Sequence, residues 1–258
     1  MPSINYKIKG EGPPIIFIHG FCETGAIWES FSEELSNTNQ VITIDLPGFG
    51  SSKLTKTNIT LQEIAADLNE WVLGEGLKKP IVIGHSLGGY ISLAMVEQMP
   101  SLYSGFGLVH STSKADTEEK RINRTKVMAF VKEHGVKAFV DSFVPGLYHQ
   151  KEHPSIDFVH KIALTTAEST FLAYTAAMRD RPSYENLLVG FPKPILIVGG
   201  ENDPVIPIET LQEQALLNPL VSFYSLSQVG HMGMFEATQK LAEAVRAFIS
   251  LVRNGYVV

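Results

Sequence analysis

Apolar residues along this chain follow two rhythms. Compact apolar runs at 14–18, 41–44, 81–83, 105–109 and 195–198 have the length and branched-aliphatic content of buried strands. Between them, apolar residues return every three or four positions. Residues 27–36 carry Trp28, Phe31 and Leu35 on one face, and 61–73 carry Leu61, Ile64, Ala65, Leu68, Trp71 and Val72. Residues 237–252 carry Leu241, Val245, Phe248 and Ile249 in the same way, so each stretch predicts an amphipathic helix. Further helices are expected after residue 86 as far as Met99 and over 208–217, with a strand over 221–226. Residues 4–8 alternate apolar and polar like an exposed antiparallel strand, and 10–14 reads as a turn. Strand–helix alternation of this kind predicts an α/β fold, a mostly parallel sheet with helices on both faces. Functional groups in such a sheet gather at the C-terminal ends of its strands.

The rhythm changes after His110. From Ser111 to about Gly190 the pattern is helical and no strand is expected. Asp116 reads as an N-cap with Glu119 three residues on, and Gly135 closes that helix beyond Val127, Phe130 and Val131. Shorter helices are expected over 136–144, 156–164 and 166–178. The predicted organisation is therefore a core built from residues 1–111 and 191–258, with a helical cap, or lid, inserted at 112–190. The insertion precedes the strand that leads to Asp203.

Composition narrows the class. The chain has 258 residues, 44% hydrophobic and 19% charged, which supports a full core and is inconsistent with disorder. The formal net charge is −6, and no dense basic cluster suggests nucleic acid as a partner. Lys120, Arg121, Arg124 and Lys126 come nearest, but they follow Asp116, Glu118 and Glu119 and read as a solvated helix face. The single cysteine, Cys22, permits no intrachain disulfide and no cysteine-rich metal site. Residues 1–5 lack a secretory pattern, and no apolar run approaches the ~20 residues of a membrane helix. The expectation is a soluble, cytoplasmic protein acting on a small molecule, without nucleic acid, membrane or cofactor. Oligomeric state is left open.

The chemistry is concentrated at Gly84-His85-Ser86-Leu87-Gly88, which lies between an apolar run and a helix. A serine at the point of a strand-to-helix turn needs neighbours without Cβ atoms, and Gly84 and Gly88 supply them. The turn exposes the Ser86 hydroxyl and places the Leu87 N–H at a helix N-terminus, where it faces developing negative charge. Ser86 is therefore the candidate nucleophile for acyl transfer. A serine hydroxyl needs a base, and the base needs an orienting acid. His231, between Gly230 and Met232 after the 221–226 strand, is the candidate base. Asp203, after the 195–198 strand, is the candidate acid, preferred over Glu201 because Pro204 and Pro207 stiffen the chain beyond it. The N–H of Phe21, in the loop after residue 18, is the second oxyanion donor expected beside that of Leu87.

Five segments carry a resemblance to a known superfamily. They are His19-Gly20-Phe21, Asp45-Leu46-Pro47-Gly48-Phe49-Gly50-Ser51-Ser52, Gly84-His85-Ser86-Leu87-Gly88-Gly89, Gly200-Glu201-Asn202-Asp203 and Gly230-His231. Over nearly its full length the chain resembles the α/β-hydrolases, in which nucleophile, acid and base follow in the order Ser86, Asp203, His231. The lidded layout is similar to small carboxylesterases, enol-lactonases, carbon–carbon bond hydrolases and haloperoxidase-like perhydrolases. The resemblance implies a serine esterase for a small, mainly apolar ester. Lactone or carbon–carbon hydrolysis on the same residues is the alternative, and a ligand receptor on a hydrolase scaffold is a third. Serine at 86 argues against relatives that use aspartate there for dehalogenation or epoxide opening.

Other residues are assigned lesser roles. Asp45 reads as a loop anchor, His85 as structural support, and Cys22 and Trp28 as core. His110, at the rim, is a candidate substrate contact or a core hinge. Phe21, Phe139, Phe143, Leu147, Phe171, Tyr174, Met178 and Met232 are candidates for an apolar acyl pocket, with plain lid packing as the alternative. His149, Glu152 and His153 lie in a lid loop without a second convergent set, so no metal is expected.

Overall fold

The computed structural model describes residues 4–254. The outermost residues of the expected core, 1–3 and 255–258, lie outside the described residues, as does most of the segment read for a secretory signal.

Seven strands form one sheet: β1 (Tyr6–Lys9), β2 (Pro14–Ile18), β3 (Gln40–Ile44), β4 (Ile81–His85), β5 (Gly105–Val109), β6 (Ile195–Gly200) and β7 (Val221–Leu226). Their order is β1-β3-β2-β4-β5-β6-β7. Only β1 runs antiparallel, against β3, and its residues are largely exposed, as the alternating pattern at the N-terminus requires. The other neighbours pair in parallel.

Both faces of β2 to β6 are covered, which is why those strands are almost wholly apolar, whereas β7 at the sheet edge is only partly buried and carries Ser222 and Ser225. On β2, Ile16 and Ile18 join Ile42 and Ile44 in one core layer, while Ile15 and Phe17 join Val41 in the other. The first layer is closed by α2 (Leu61–Gly74) and α3 (Leu87–Gln98), following α1 (Glu29–Leu35) in the chain. α1 closes the second layer through Phe31 and Leu35. A capping box starts α2: Thr60 Oγ1 accepts from Glu63 N at 3.1 Å, and Glu63 Oε2 accepts from Thr60 N at 2.8 Å. The helix expected over 27–36 divides in two. Residues Gly25–Trp28 form a 3₁₀ turn capped by Thr24, and α1 begins only at Glu29.

Between β5 and β6 the chain is helical: α4 (Glu118–Gly146), α5 (Ile156–Ala163), α6 (Glu168–Arg179) and α7 (Glu185–Gly190). No strand occurs there among the described residues. Gly135 does interrupt the first helix, with φ 81° and ψ 164°, and the stretch beyond it resumes as a second arm of α4. The expected N-cap is displaced by one residue. Thr117, not Asp116, accepts from Lys120 N, because the Asp116 carboxylate is held by Arg124 and Arg181.

After β6 come α8 (Ile208–Ala215), β7, the short α9 (Gly233–Glu236) and α10 (Thr238–Asn254). α10 seals the second layer with Leu241, Val245, Phe248 and Ile249. Among the described residues no helix is long and apolar enough to cross a membrane.

Strand register aligns the functional rim. His85 is level with Val109, Val109 with Val198, and Gly200 with Leu226. The residues that leave these four strands therefore emerge along one edge of the sheet.

Candidate active site

Ser86 occupies the bend between β4 and α3 with φ 49° and ψ −113°, a conformation that costs a non-glycine residue. The bend is held from outside: Ser86 N donates to Val109 O at 3.0 Å, and Ser111 Oγ donates to Ser86 O at 2.7 Å. A Cβ on Gly84 would overlap the backbone of Gly88, and one on Gly88 would overlap the carbonyls of Ile18 and His19. These two glycines let strand, turn and helix close to backbone contact.

Four buried histidines surround the bend, and their partners fix three of their protonation states. His85 Nδ1 faces Glu23 Oε2 at 2.9 Å, and its Nε2 faces the His231 carbonyl at 2.9 Å. Both partners can only accept, so both nitrogens donate and the ring is an imidazolium. Burial alone would lower its pKa, but Glu23 and the His231 carbonyl raise it above its ordinary value. Burial pushes the Glu23 carboxyl up, yet His85, His19 and the Gly20 N–H bring it below its ordinary value. His110 is the opposite case. Gly233 N donates to its Nε2 at 3.2 Å, so the proton sits on Nδ1, which donates to Asp203 Oδ2 at 3.1 Å. Burial then holds this neutral ring below its ordinary pKa. His19 is neutral for the same reason: Nε2 accepts from Leu46 N at 2.9 Å and Nδ1 donates to Gly20 O at 2.7 Å.

The fourth is His231. Its Nδ1 lies 2.8 Å from Asp203 Oδ2, and its backbone N donates to Leu147 O at 2.7 Å. A ring held by Asp203 at Nδ1 leaves Nε2 on its opposite side. His231 and Ser86 line the same cavity. No hydrogen bond joins Ser86 Oγ to His231, and such catalytic contacts commonly form only in the Michaelis complex.

Asp203 accepts four hydrogen bonds. Oδ1 takes the N–H groups of Val205 at 2.8 Å and Ile206 at 3.0 Å, while Oδ2 takes His110 and His231. Burial would raise this carboxyl, but the His231 charge and the two histidine hydrogen bonds hold it well below the carboxylate range. Glu201, its sequence rival, is exposed and accepts from Ser225 Oγ at 2.9 Å. Ligand atoms of His110, Asp203 and His231 lie within 4.8 Å of one another. Both Nδ1 atoms there carry the proton donated to Asp203, so neither Nδ1 offers a lone pair to a cation.

The loop after β2 is equally constrained. The Gly20 carbonyl is bound by His19, and Gly20 N donates to Glu23 Oε2 at 2.6 Å. Peptide planarity then turns the Phe21 N–H to the side opposite the Gly20 carbonyl, and it has no protein acceptor among the described residues. Leu87 opens α3, so its N–H has no intrahelical partner. Glu23 therefore links this loop, through His85, to the backbone of His231.

A cavity of about 370 Å³ opens over Ser86 and His231. Phe21, Phe139, Phe143, Val127 and Met178 give it an apolar wall. Lys120, Asn123, Arg124 and Asp116 give it a polar one. Of the nine substrate contacts considered from sequence, Phe21, Phe139, Phe143 and Met178 line it, and Phe171 is buried in the second core layer. His110 is fully buried and committed to Asp203 and Gly233. Tyr174 is buried with its hydroxyl donating to Pro47 O at 2.9 Å. Leu147 and Met232 are buried in the second core layer. Helical spacing told which lid residues turn inward, but not whether they meet the cavity or the core beneath it.

Glu23 and the polar wall were not anticipated. A lone acid in the turn after a buried strand was the available signal for Glu23. For the wall it was the spacing of Lys120, Asn123, Arg124 and Val127, at i, i+3, i+4 and i+7 on one helix face. That face meets the cavity and is not simply solvated.

Comparison with known proteins agrees with this architecture. An uncharacterized hydrolase, YugF of Bacillus subtilis, is 26% identical over 247 residues, covering 91% of this chain and 89% of that protein. The 2-(acetamidomethylene)succinate hydrolase of Mesorhizobium japonicum is 25% identical over 233 residues, covering 84% and 81%. A thermophilic esterase from Thermogutta terrifontis superposes with a TM-score of 0.91 at 26% identity, over 96% of this chain and 93% of that one. The model of the alpha/beta hydrolase family matches residues 15–244, which runs from β2 through β7 into the first turns of α10. With that match over a sheet of this order and a serine at the bend after β4, the chain belongs to the alpha/beta hydrolase family.

Proposed function

We propose that the protein is a serine esterase for small esters, working through an acyl-enzyme on Ser86, His231 and Asp203. The observation that carries this reading is the opening of Ser86 and His231 onto one cavity, with His231 Nδ1 held by a buried, ionised Asp203. The hydrolase relatives and the esterase neighbour support it.

Ser86 Oγ attacks the ester carbonyl carbon and passes its proton to His231 Nε2. Asp203 stabilises the imidazolium that forms and keeps the proton of Nδ1 in place. The carbonyl oxygen becomes an oxyanion between the N–H groups of Phe21 and Leu87, each donor of this kind contributing about 3 kcal/mol. The C–O bond to the alcohol breaks as His231 returns the proton to the leaving oxygen. Water, deprotonated by His231, then attacks the acyl carbon, and Ser86 leaves with a proton. The apolar wall of Phe21, Phe139 and Phe143 is suited to the hydrocarbon part of the substrate.

A p-nitrophenyl acyl ester gives a burst of p-nitrophenol followed by a slower steady rate, and Ser86→Ala abolishes both. Fluorophosphonate labels the wild-type protein and not the variant. A wild-type protein inert to a panel of esters and unlabelled by fluorophosphonate refutes the reading.

A further inference from the structure

The polar wall of the cavity has a charge pattern that the esterase reading does not use. Four consecutive inward positions of α4 are Lys120, Asn123, Arg124 and Val127, and all line the cavity that holds Ser86. Two are cations and one is an amide, in a chain whose formal net charge is −6. The single carboxylate on this wall is Asp116, and it is already shared. Its Oδ1 accepts from Arg181 Nη1 at 2.7 Å, and its Oδ2 accepts from Arg124 Nε.

Arg181 is buried and spent. Besides Asp116 it donates to Met178 O at 2.7 Å and Lys114 O at 3.0 Å, and its guanidinium lies 3.8 Å from the Tyr90 ring centre. Arg124 is half-buried, and its second contact is a weak one, Nη1 to Met178 Sδ at 3.6 Å. Lys120 stands at the mouth and has no ion-pair partner among the described residues. The charges that reach it are Asp116, Arg181, Arg124 and Asp203. Asp203 already has four donors, so neither acid is free to neutralise Lys120. Three cations on this side thus face one carboxylate. Burial pushes the Lys120 ammonium below its ordinary pKa; the Asp116 charge opposes that shift, and Arg181 and Arg124 add to it.

We propose that this wall is an anion subsite, and that the substrate is a small ester bearing a carboxylate, which Lys120, Arg124 and the Asn123 amide bind while Ser86 attacks its carbonyl. The proposal rests on the esterase reading for its chemistry, though not for its binding. The apolar wall takes the hydrocarbon spacer and the polar wall takes the charge. A cationic mouth on an acidic protein also draws anionic substrate toward the cavity and away from the rest of the surface.

Two pairs of esters, each an anion and a neutral analogue lacking the carboxylate, test it: monomethyl glutarate with methyl valerate, and 4-acetoxybenzoate with phenyl acetate. In at least one pair kcat/KM favours the anion by about tenfold, the size of one charge-assisted hydrogen bond. Lys120→Glu reduces that ratio at least tenfold, through KM, and raising NaCl reduces it in the wild type. Calorimetric binding of the same compounds to Ser86→Ala reads the subsite without turnover. Selective binding of one anion, lost in the Ser86→Ala, Lys120→Glu double variant, supports the subsite even if no ester is cleaved, and in that case the esterase reading falls alone. Equal handling of both pairs by the wild type, or ratios and binding indifferent to Lys120→Glu, overturns the subsite and leaves the esterase reading standing.

Discussion

Replacing Asp203 with Asn probes the whole hydrogen-bond system around the base. Asn keeps one oxygen. Val205 and Ile206 N–H both bind Oδ1, so the amide oxygen stays there and the NH₂ takes the place of Oδ2. It then meets two imidazoles that were donating to that position. His110 cannot yield, because moving its proton to Nε2 would set that proton against the Gly233 N–H. His231 can yield: it moves its proton to Nε2 and accepts at Nδ1. That relieves one clash and removes the lone pair that Ser86 needs. Turnover should fall by roughly 10⁴, as it does when a serine protease loses its orienting acid. At 1.36 kcal/mol per decade this is about 5.4 kcal/mol of transition-state stabilisation. The remaining donor–donor conflict with His110 should lower folding stability by about 1–3 kcal/mol. The measurements are kcat on a p-nitrophenyl ester and urea unfolding of the same preparations. A variant that keeps kcat within tenfold of the wild type refutes the role of Asp203. Loss of turnover in Glu201→Gln instead would move that role to Glu201.

Strands β2 to β6 were legible because they are buried on both faces. Such strands are nearly pure apolar runs, and each ends at a residue that breaks the run: His19, Asp45, His85, His110 or Glu201. Gly135 was legible as a helix break because a positive φ favours glycine, although α4 continues past it. Short elements such as α7 and α9 were not, since so few residues carry no period. At the site, spacing after strand ends singled out Ser86, Asp203 and His231, which the structure brings to one rim. It did not reveal that His110 serves Asp203, because a shared carboxylate is a three-dimensional fact with no sequence period. It read Lys120 and Arg124 as a solvated face without showing that both also line the cavity, because Arg181, which shares Asp116 with Arg124, lies far along the chain. An ion network assembled from distant segments looks in sequence like ordinary surface charge.

Two further predictions follow from the supports of the site. Gly88→Ala drives a Cβ into the carbonyls of Ile18 and His19, which are backbone and cannot swing aside. It should destabilise the protein by about 1–3 kcal/mol, as overpacking does, and an unchanged melting temperature would contradict the close approach. Glu23→Gln removes the counter-ion of His85. The folded-state pKa of His85 is raised from 6.5, so its share of the pair's stability is full below that value and vanishes as pH climbs through the folded pKa. That of Glu23 is lowered from 4.5, so its share is full above that value and vanishes as pH falls through the folded pKa. The stability gap between wild type and Glu23→Gln should therefore be widest between pH 4.5 and 6.5 and narrow on both sides. Because the same carboxylate holds the Gly20 N–H while His85 holds the His231 carbonyl, turnover should fall along with stability. A gap that stays constant from pH 4 to 9 would mean that His85 is neutral, and that its contact with the His231 carbonyl is not the donor bond its two oxygen partners require.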